Sequence, residues 1–153
     1  MPNSKVYKEN FIKKLGELYD LTLIRDNNIV SVNSKAILYI RYSKNLLKSQ
    51  SNAVKETYWF GITQTEYEKY KEENLFLVCI CAAKKEIYNI IISKAKFEII
   101  KKHMEIKTGQ WKFNIDHVSP DKFILNISGG KQWDVSGFLN NYNFGATPKY
   151  DKR

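Results

Sequence analysis

Three side chains that can contact a phosphate group follow an apolar run early in the chain. The run starts at Ala36, and Arg41, Ser43 and Lys44 come at its end. Arginine offers a planar fork of N–H donors to phosphate oxygens, lysine offers a point charge, and a serine hydroxyl can donate one hydrogen bond. We interpret this strand end as a phosphate-contacting site. The alternative is a strand that becomes polar where it reaches the surface.

A block of aromatic residues, Tyr58-Trp59-Phe60, follows a polar segment and is closed by Gly61. Successive side chains of a strand point to opposite faces, so Trp59 is the freer ring if Tyr58 and Phe60 lie in the core. A free ring near Arg and Lys can stack on a base, which contributes ~1–3 kcal/mol per base. It can also help to form a cage around a flipped or methylated base. The alternative is that the whole block belongs to an aromatic-rich core.

The charge balance of the chain favours anionic partners. There are 25 Lys and Arg residues against 16 Asp and Glu, a net charge of +9. A field of this sign attracts nucleic acid first and an anionic membrane surface second, unless the lysines serve only solubility. Lys94 and Lys101 are seven residues apart on one face of a predicted helix, which indicates either a phosphate-tracking stripe or a solvated face. Other lysines of this basic set are Lys84, Lys85, Lys96, Lys102, Lys107 and Lys112.

Residue types that bind zinc or form disulfides are few. Cys79 and Cys81 lie within an apolar run at a spacing that is awkward for a disulfide, which predicts small core residues in a reducing compartment. His103 and His117 are isolated, which argues against a zinc site. No apolar run reaches the ~18 residues of a membrane span, and the N-terminus lacks a signal-type apolar segment. We therefore expect a cytoplasmic protein without a membrane or cofactor requirement.

Hydrophobic periodicity predicts a single α+β domain over residues 1–153, with a central mixed, largely antiparallel sheet flanked by helices. Helices are predicted at 7–19, from a capping box at 63–66 onward to 73, at 94–103 with Ser93 as the N-cap, and at 135–142. Strands are predicted at 21–24, 29–32, 36–42, 58–62, 75–81, 87–92, 110–115 and 123–127. The polar segment 45–57 is expected to be an exposed loop, and the tail 145–153 to be frayed.

The segment from residue 7 to residue 103 resembles the core of the PD-(D/E)XK nuclease superfamily. In that family an acidic residue and a following Glu-x-Lys motif bind magnesium and activate water. Asp26 can stand for the first acid, whereas the Glu-x-Lys position falls on 41–43 or 42–44, where the second carboxylate is absent. Magnesium needs several oxygen ligands, so the resemblance implies an inactive relative that keeps a DNA-binding surface, as in restriction or phage-defence proteins.

We therefore predict a domain that binds double-stranded DNA and recognises a sequence or a modified base without cleaving it. In this hypothesis Trp59 stacks on or probes a base while basic and hydroxyl groups contact phosphate. The predicted phosphate-binding residues are Arg41, Ser43, Lys44, Lys94 and Lys101.

Two alternatives remain open from the sequence. A magnesium-dependent nuclease would use Asp26, a displaced acid such as Asp20 or Glu17, and Lys44 near the attacking water. A protein-interaction module would instead present the aromatic block to a partner chain. The sequence makes no prediction of oligomeric state.

Overall fold

The computed structural model describes residues 4–47, 54–146 and 148–149, and it confirms the α+β class. These residues form three helices, α1 (Ser4–Leu15), α2 (Gln64–Tyr70) and α3 (Lys94–Lys101), and a 3-10 turn at Ser136–Phe138. Their nine strands are β1 (Leu21–Arg25), β2 (Ile29–Val32), β3 (Ala36–Lys44), β4 (Glu56–Thr63), β5 (Leu75–Ala82), β6 (Ile87–Ser93), β7 (Gln110–Ser119), β8 (Lys122–Asn126) and β9 (Gln132–Asp134). Of the helices described, none is long and apolar enough to cross a bilayer.

The strands divide between two sheets, where the sequence suggested a single central one. A mixed five-stranded sheet has the order β1-β2-β3-β5-β6, with β3 and β5 parallel. A second, antiparallel sheet has the order β4-β7-β8-β9. The burial patterns explain the division. Strands β3 and β5 are apolar on both faces for most of their length, whereas β4 alternates between buried and exposed positions and suits a sheet with one wet face.

Both faces of the five-stranded sheet are covered except at the edge strand β1, which is largely exposed. One face packs against the inner face of the second sheet and against α2 and α3, and the other packs against α1 and the C-terminal segment. Strand β3 supplies Tyr39 to the first layer and Leu38 and Ile40 to the second, which accounts for its continuous apolar run. Cys79 and Cys81 are buried and free of disulfides, as predicted.

Both predicted helix starts are confirmed, because α2 begins after Thr63 and α3 begins after Ser93, but the two caps differ. Ser93 caps α3 as predicted, since its hydroxyl accepts a hydrogen bond from the backbone N–H of Lys96. The capping box at the start of α2 is wrong, because the Thr63 side chain makes no capping hydrogen bond. The Glu66 carboxylate is instead bonded to Arg25, so a long-range ion pair replaces the local motif.

The predicted closing helix at 135–142 is wrong. Strand β9 pairs with β8 and is followed by the 3-10 turn. Leu139 forms a bridge to Ile90 on the edge of the first sheet, and Asn140 has a positive φ of 52°. The helical spacing of the apolar residues is real, but the pairing of β9 with β8 before this segment and the bridge of Leu139 to Ile90 within it limit the helical part to Ser136–Phe138.

Two expectations fall partly outside the described residues. Within the predicted loop at 45–57, residues 48–53 are not described, and β4 already begins at Glu56. Within the tail predicted to be frayed, residues 147 and 150–153 are not described, while Lys149 contacts Asp20 at 3.4 Å and the carbonyl of Gly16 at 3.1 Å.

Candidate nucleic-acid interface

The predicted phosphate-binding residues of β3 lie on both faces of the strand. Arg41 and Ser43 point toward β4, and Lys44 is exposed on the opposite side. Ser43 is buried, and its hydroxyl accepts a 2.9 Å hydrogen bond from the backbone N–H of Trp59 and donates one of 2.9 Å to the carbonyl of Lys44. The hydroxyl therefore joins β3 to β4 and is already engaged within the protein.

Arg41 lies on β3 between two residues that accept hydrogen bonds from the backbone of β4. Two contacts bracket this position, namely Ser43 Oγ with the Trp59 N–H at 2.9 Å and Tyr39 Oη with the Thr63 N–H at 3.2 Å. Arg41 itself is half-buried, and its charge acts on Lys8 of α1.

Arg41 belongs to a group of three cations that we call the cationic cluster, together with Lys8 of α1 and Arg25 of β1. Arg25 Nη1 donates to Glu66 Oε2 at 2.7 Å, and Lys8 Nζ donates to Asn28 Oδ1. Burial lowers the pKa of Lys8, the charge of Arg41 lowers it further, and Glu66 opposes both effects. Among the described residues Arg41 forms no ion pair with an acid, so its positive charge is left for an anion to neutralise.

Trp59 is 52% exposed on the outer face of the second sheet, whereas Tyr58 and Phe60 are buried beneath it. It forms one side of a cavity of about 550 Å³, which we call the Trp59 groove. Lys107, Lys112 and Glu105 also line this groove. No ion pair joins either lysine to an acid in the part of the chain that the structure describes.

The floor of the Trp59 groove carries two amide side chains held by one acid. Asp116 Oδ1 accepts from Asn114 Nδ2 at 2.9 Å and from the Thr57 hydroxyl at 2.7 Å, and Asp116 Oδ2 accepts from Asn126 Nδ2 at 2.8 Å. An ionised carboxylate only accepts hydrogen bonds, so both amide nitrogens must face it. The hydrogen bonds to Asp116 thus determine which way each amide group is turned.

The amides continue across the sheet as a row that we call the amide row, made of Asn114, Asn126 and Gln132. Direct cross-strand pairing places them in line with Trp59, in the order β4-β7-β8-β9. Asn126 Oδ1 accepts from Gln132 Nε2 at 2.7 Å. Within the described ranges, Asn114 Oδ1 accepts no hydrogen bond, so it is left to face a ligand.

Lys94 and Lys101 have structural contacts of their own. Lys94 Nζ donates to the carbonyls of Lys71 and Glu73, at 2.7 and 2.8 Å, beyond the end of α2. Lys101 pairs with Glu98 and lies over two rings, 4.9 Å from the centroid of Tyr67 and 5.1 Å from that of Trp111. Both ammonium groups thus stabilise α2 and α3 against the core, and a phosphate would have to compete with these partners.

The acids of the nuclease alternative do not come together. Asp26 lies in the turn between β1 and β2, and Asp20 and Glu17 precede the other end of β1. Five strand residues separate these ends, which corresponds to roughly 17 Å at ~3.3 Å per residue. A displaced acid from this segment therefore cannot share a magnesium ion with Asp26. Among the described residues, no group of three or more His, Cys, Asp and Glu side chains is placed to hold a metal.

Several residues of this surface were not singled out from the sequence. Lys8, Arg25 and Glu66 come from three elements that only tertiary contacts bring together. Asn114 had a detectable signal, because the alternation of Trp111, Phe113 and Ile115 places the residues between them on the wet face. That face was predicted, but its polar row was not interpreted as a site.

Comparison of the chain with family models, with curated proteins and with solved structures finds no significant match. The resemblance to the PD-(D/E)XK core therefore stays a prediction. A function has to be inferred from the surface itself, which combines excess positive charge, an exposed indole ring and oriented amides along β4 and β7.

Proposed function

We propose that the protein binds DNA through the surface along β4, with the cationic cluster on one side and the Trp59 groove on the other. The observation that carries this proposal is the exposed ring of Trp59 beside Lys112, on a chain with a net charge of +9. The other large rings of the second sheet are buried, apart from the half-buried Trp133, so Trp59 leaves an unusual amount of apolar surface in water, and stacking on a base would remove it.

The basic residues and the groove would contact different parts of the DNA. Arg41 and Arg25 would contact phosphate oxygens, with Glu66 holding Arg25 in place until an anion arrives. Lys107 and Lys112 would neutralise phosphates on either side of a stacked base. Contacts with the phosphates of the DNA supply affinity, and the Trp59 groove supplies selectivity for the base.

The proposal is tested by replacing Trp59, which can be removed without opening the core. Trp59→Ala should weaken DNA binding by roughly 5- to 150-fold, which corresponds to the ~1–3 kcal/mol of one stacked base. Fluorescence anisotropy of labelled DNA at 50 mM salt measures the affinity. Ile87→Ala removes a side chain that is 45% exposed on β6, outside the groove, and should leave the affinity unchanged.

The intrinsic fluorescence of the protein gives a second readout. Trp111 and Trp133 are packed against the core, so a quench on adding DNA should come from Trp59 and should be lost in Trp59→Phe. A protein-interaction module predicts neither a quench nor an anisotropy change. The absence of both signals at 50 mM salt would overturn the proposal.

A further inference from the structure

We propose that the Trp59 groove is a pocket for one unpaired nucleobase, so that the protein prefers single-stranded or extrahelical bases to intact duplex. This inference rests on the proposed DNA-binding function and narrows it. It differs from the duplex recognition that the sequence suggested.

The shape of the groove leads to this preference. Its volume of about 550 Å³ lies in the range of ~300–1,000 Å³ typical of pockets for small ligands. In an intact duplex both faces of each base are covered by neighbouring bases and the Watson–Crick edge is paired. An indole at the side of a concave site can therefore stack only on a base that has left the helix.

The floor of the groove fits the edge of such a base. Trp59 and Asn114 are directly paired across β4 and β7, which places their Cβ atoms ~4.5–5.5 Å apart. A base stacked on the indole thus presents its edge to Asn114. Because Asp116 holds the amide nitrogen at 2.9 Å, Asn114 Oδ1 is the atom left to accept from the base.

The chemical class of the ligand follows from that free acceptor. The base must carry an N–H donor on the edge that meets Asn114, as the exocyclic amine of adenine does. Lys112 lies two residues before Asn114 on the same outer face, and it can contact the phosphate of the same nucleotide.

The first experiment compares the affinities of three DNA forms for the full-length chain. Anisotropy is measured for a 12-nucleotide single strand, for the same sequence as an intact duplex, and for that duplex with one bulged adenine. Single strand should bind at least about tenfold more tightly than intact duplex, with the bulged duplex between them. Trp59→Ala should remove this preference while weak, salt-sensitive binding persists.

The second experiment tests the acceptor. Oligo(dA) is compared with an oligomer of the purine nucleoside that lacks the 6-amino group. Wild type should favour oligo(dA) by roughly threefold to tenfold, the range for one neutral hydrogen bond. Asn114→Ala should abolish that difference, and Asn10→Ala on the exposed face of α1 should retain it. Thermal unfolding checks that each variant is folded.

The outcomes separate this inference from the proposed function. If single strand and duplex bind equally while Trp59→Ala weakens both, the unpaired-base pocket is refuted and DNA binding stands. If wild type does not distinguish the two oligomers, the role of Asn114 is refuted. If no DNA binds at 50 mM salt, both proposals fail.

Discussion

Replacement of Ser43 distinguishes a structural serine from a phosphate-binding one. Ser43→Ala removes the acceptor of the Trp59 N–H, and that donor lies in the partly buried junction of β3 and β4. A donor left without a partner costs ~1–3 kcal/mol. We expect the free energy of unfolding to fall by this amount, which corresponds to a Tm lower by roughly 2–12 °C for a chain of this size. DNA affinity, measured where the variant is folded, should stay within about twofold of wild type.

Urea unfolding measures the stability change, with a matched control on β2. Ser31 is 9% exposed against 6% for Ser43, and its hydroxyl makes no hydrogen bond to the rest of the described chain. Ser31→Ala should therefore change stability by less than ~0.5 kcal/mol. The reasoning is refuted if Ser43→Ala is as stable as Ser31→Ala but binds DNA weakly, because the hydroxyl would then act on phosphate as the sequence suggested.

Three further perturbations test separate parts of the structure. Tyr39→Phe removes the phenol that accepts the Thr63 N–H, and it should lower the free energy of unfolding by ~1–3 kcal/mol in urea. Lys112→Gln should make the dependence of log affinity on log salt shallower by ~0.7 for single-stranded DNA, while Lys35→Gln, at the far end of β3, should leave the slope unchanged. Burial raises the pKa of Tyr88 to about 12 and raises that of Tyr67 further, so between pH 10 and 12 the folded state holds protons that the unfolded state loses. Stability should therefore fall as pH rises through this window, and urea titrations from pH 8 to pH 11 should show it, with a smaller fall in Tyr67→Phe.

The exposure of Trp59 could be predicted because it depends on a local property of the chain. In any strand with one buried face, the residue between two core residues points outward. Tyr58 and Phe60 are 0% and 5% exposed, and Trp59 is 52% exposed. No knowledge of neighbouring strands was needed, and the same holds for the apolar run of β3 and for the Ser93 cap.

The role of Ser43 depends on a neighbour that the sequence does not indicate. The partner of its hydroxyl is a backbone N–H 16 residues later, and β4 approaches β3 without joining its sheet. The cationic cluster is similarly remote in sequence, since Arg25 and Glu66 are 41 residues apart. Polar residues at a strand end look alike in sequence whether they face solvent or a second sheet, so the predicted phosphate contacts included one buried structural group.

The division into two sheets is the reason that a site can form along β4. A strand buried on both faces, placed between β3 and β5, would have to bury Trp59 and leave no wet face for a ligand. Because β4 pairs with β7 instead, its outward residues line up with Asn114 and Asp116 on a solvated surface. The same alternation that keeps β4 out of the first sheet therefore places the indole beside the amides, and the position of the proposed base pocket follows from the fold.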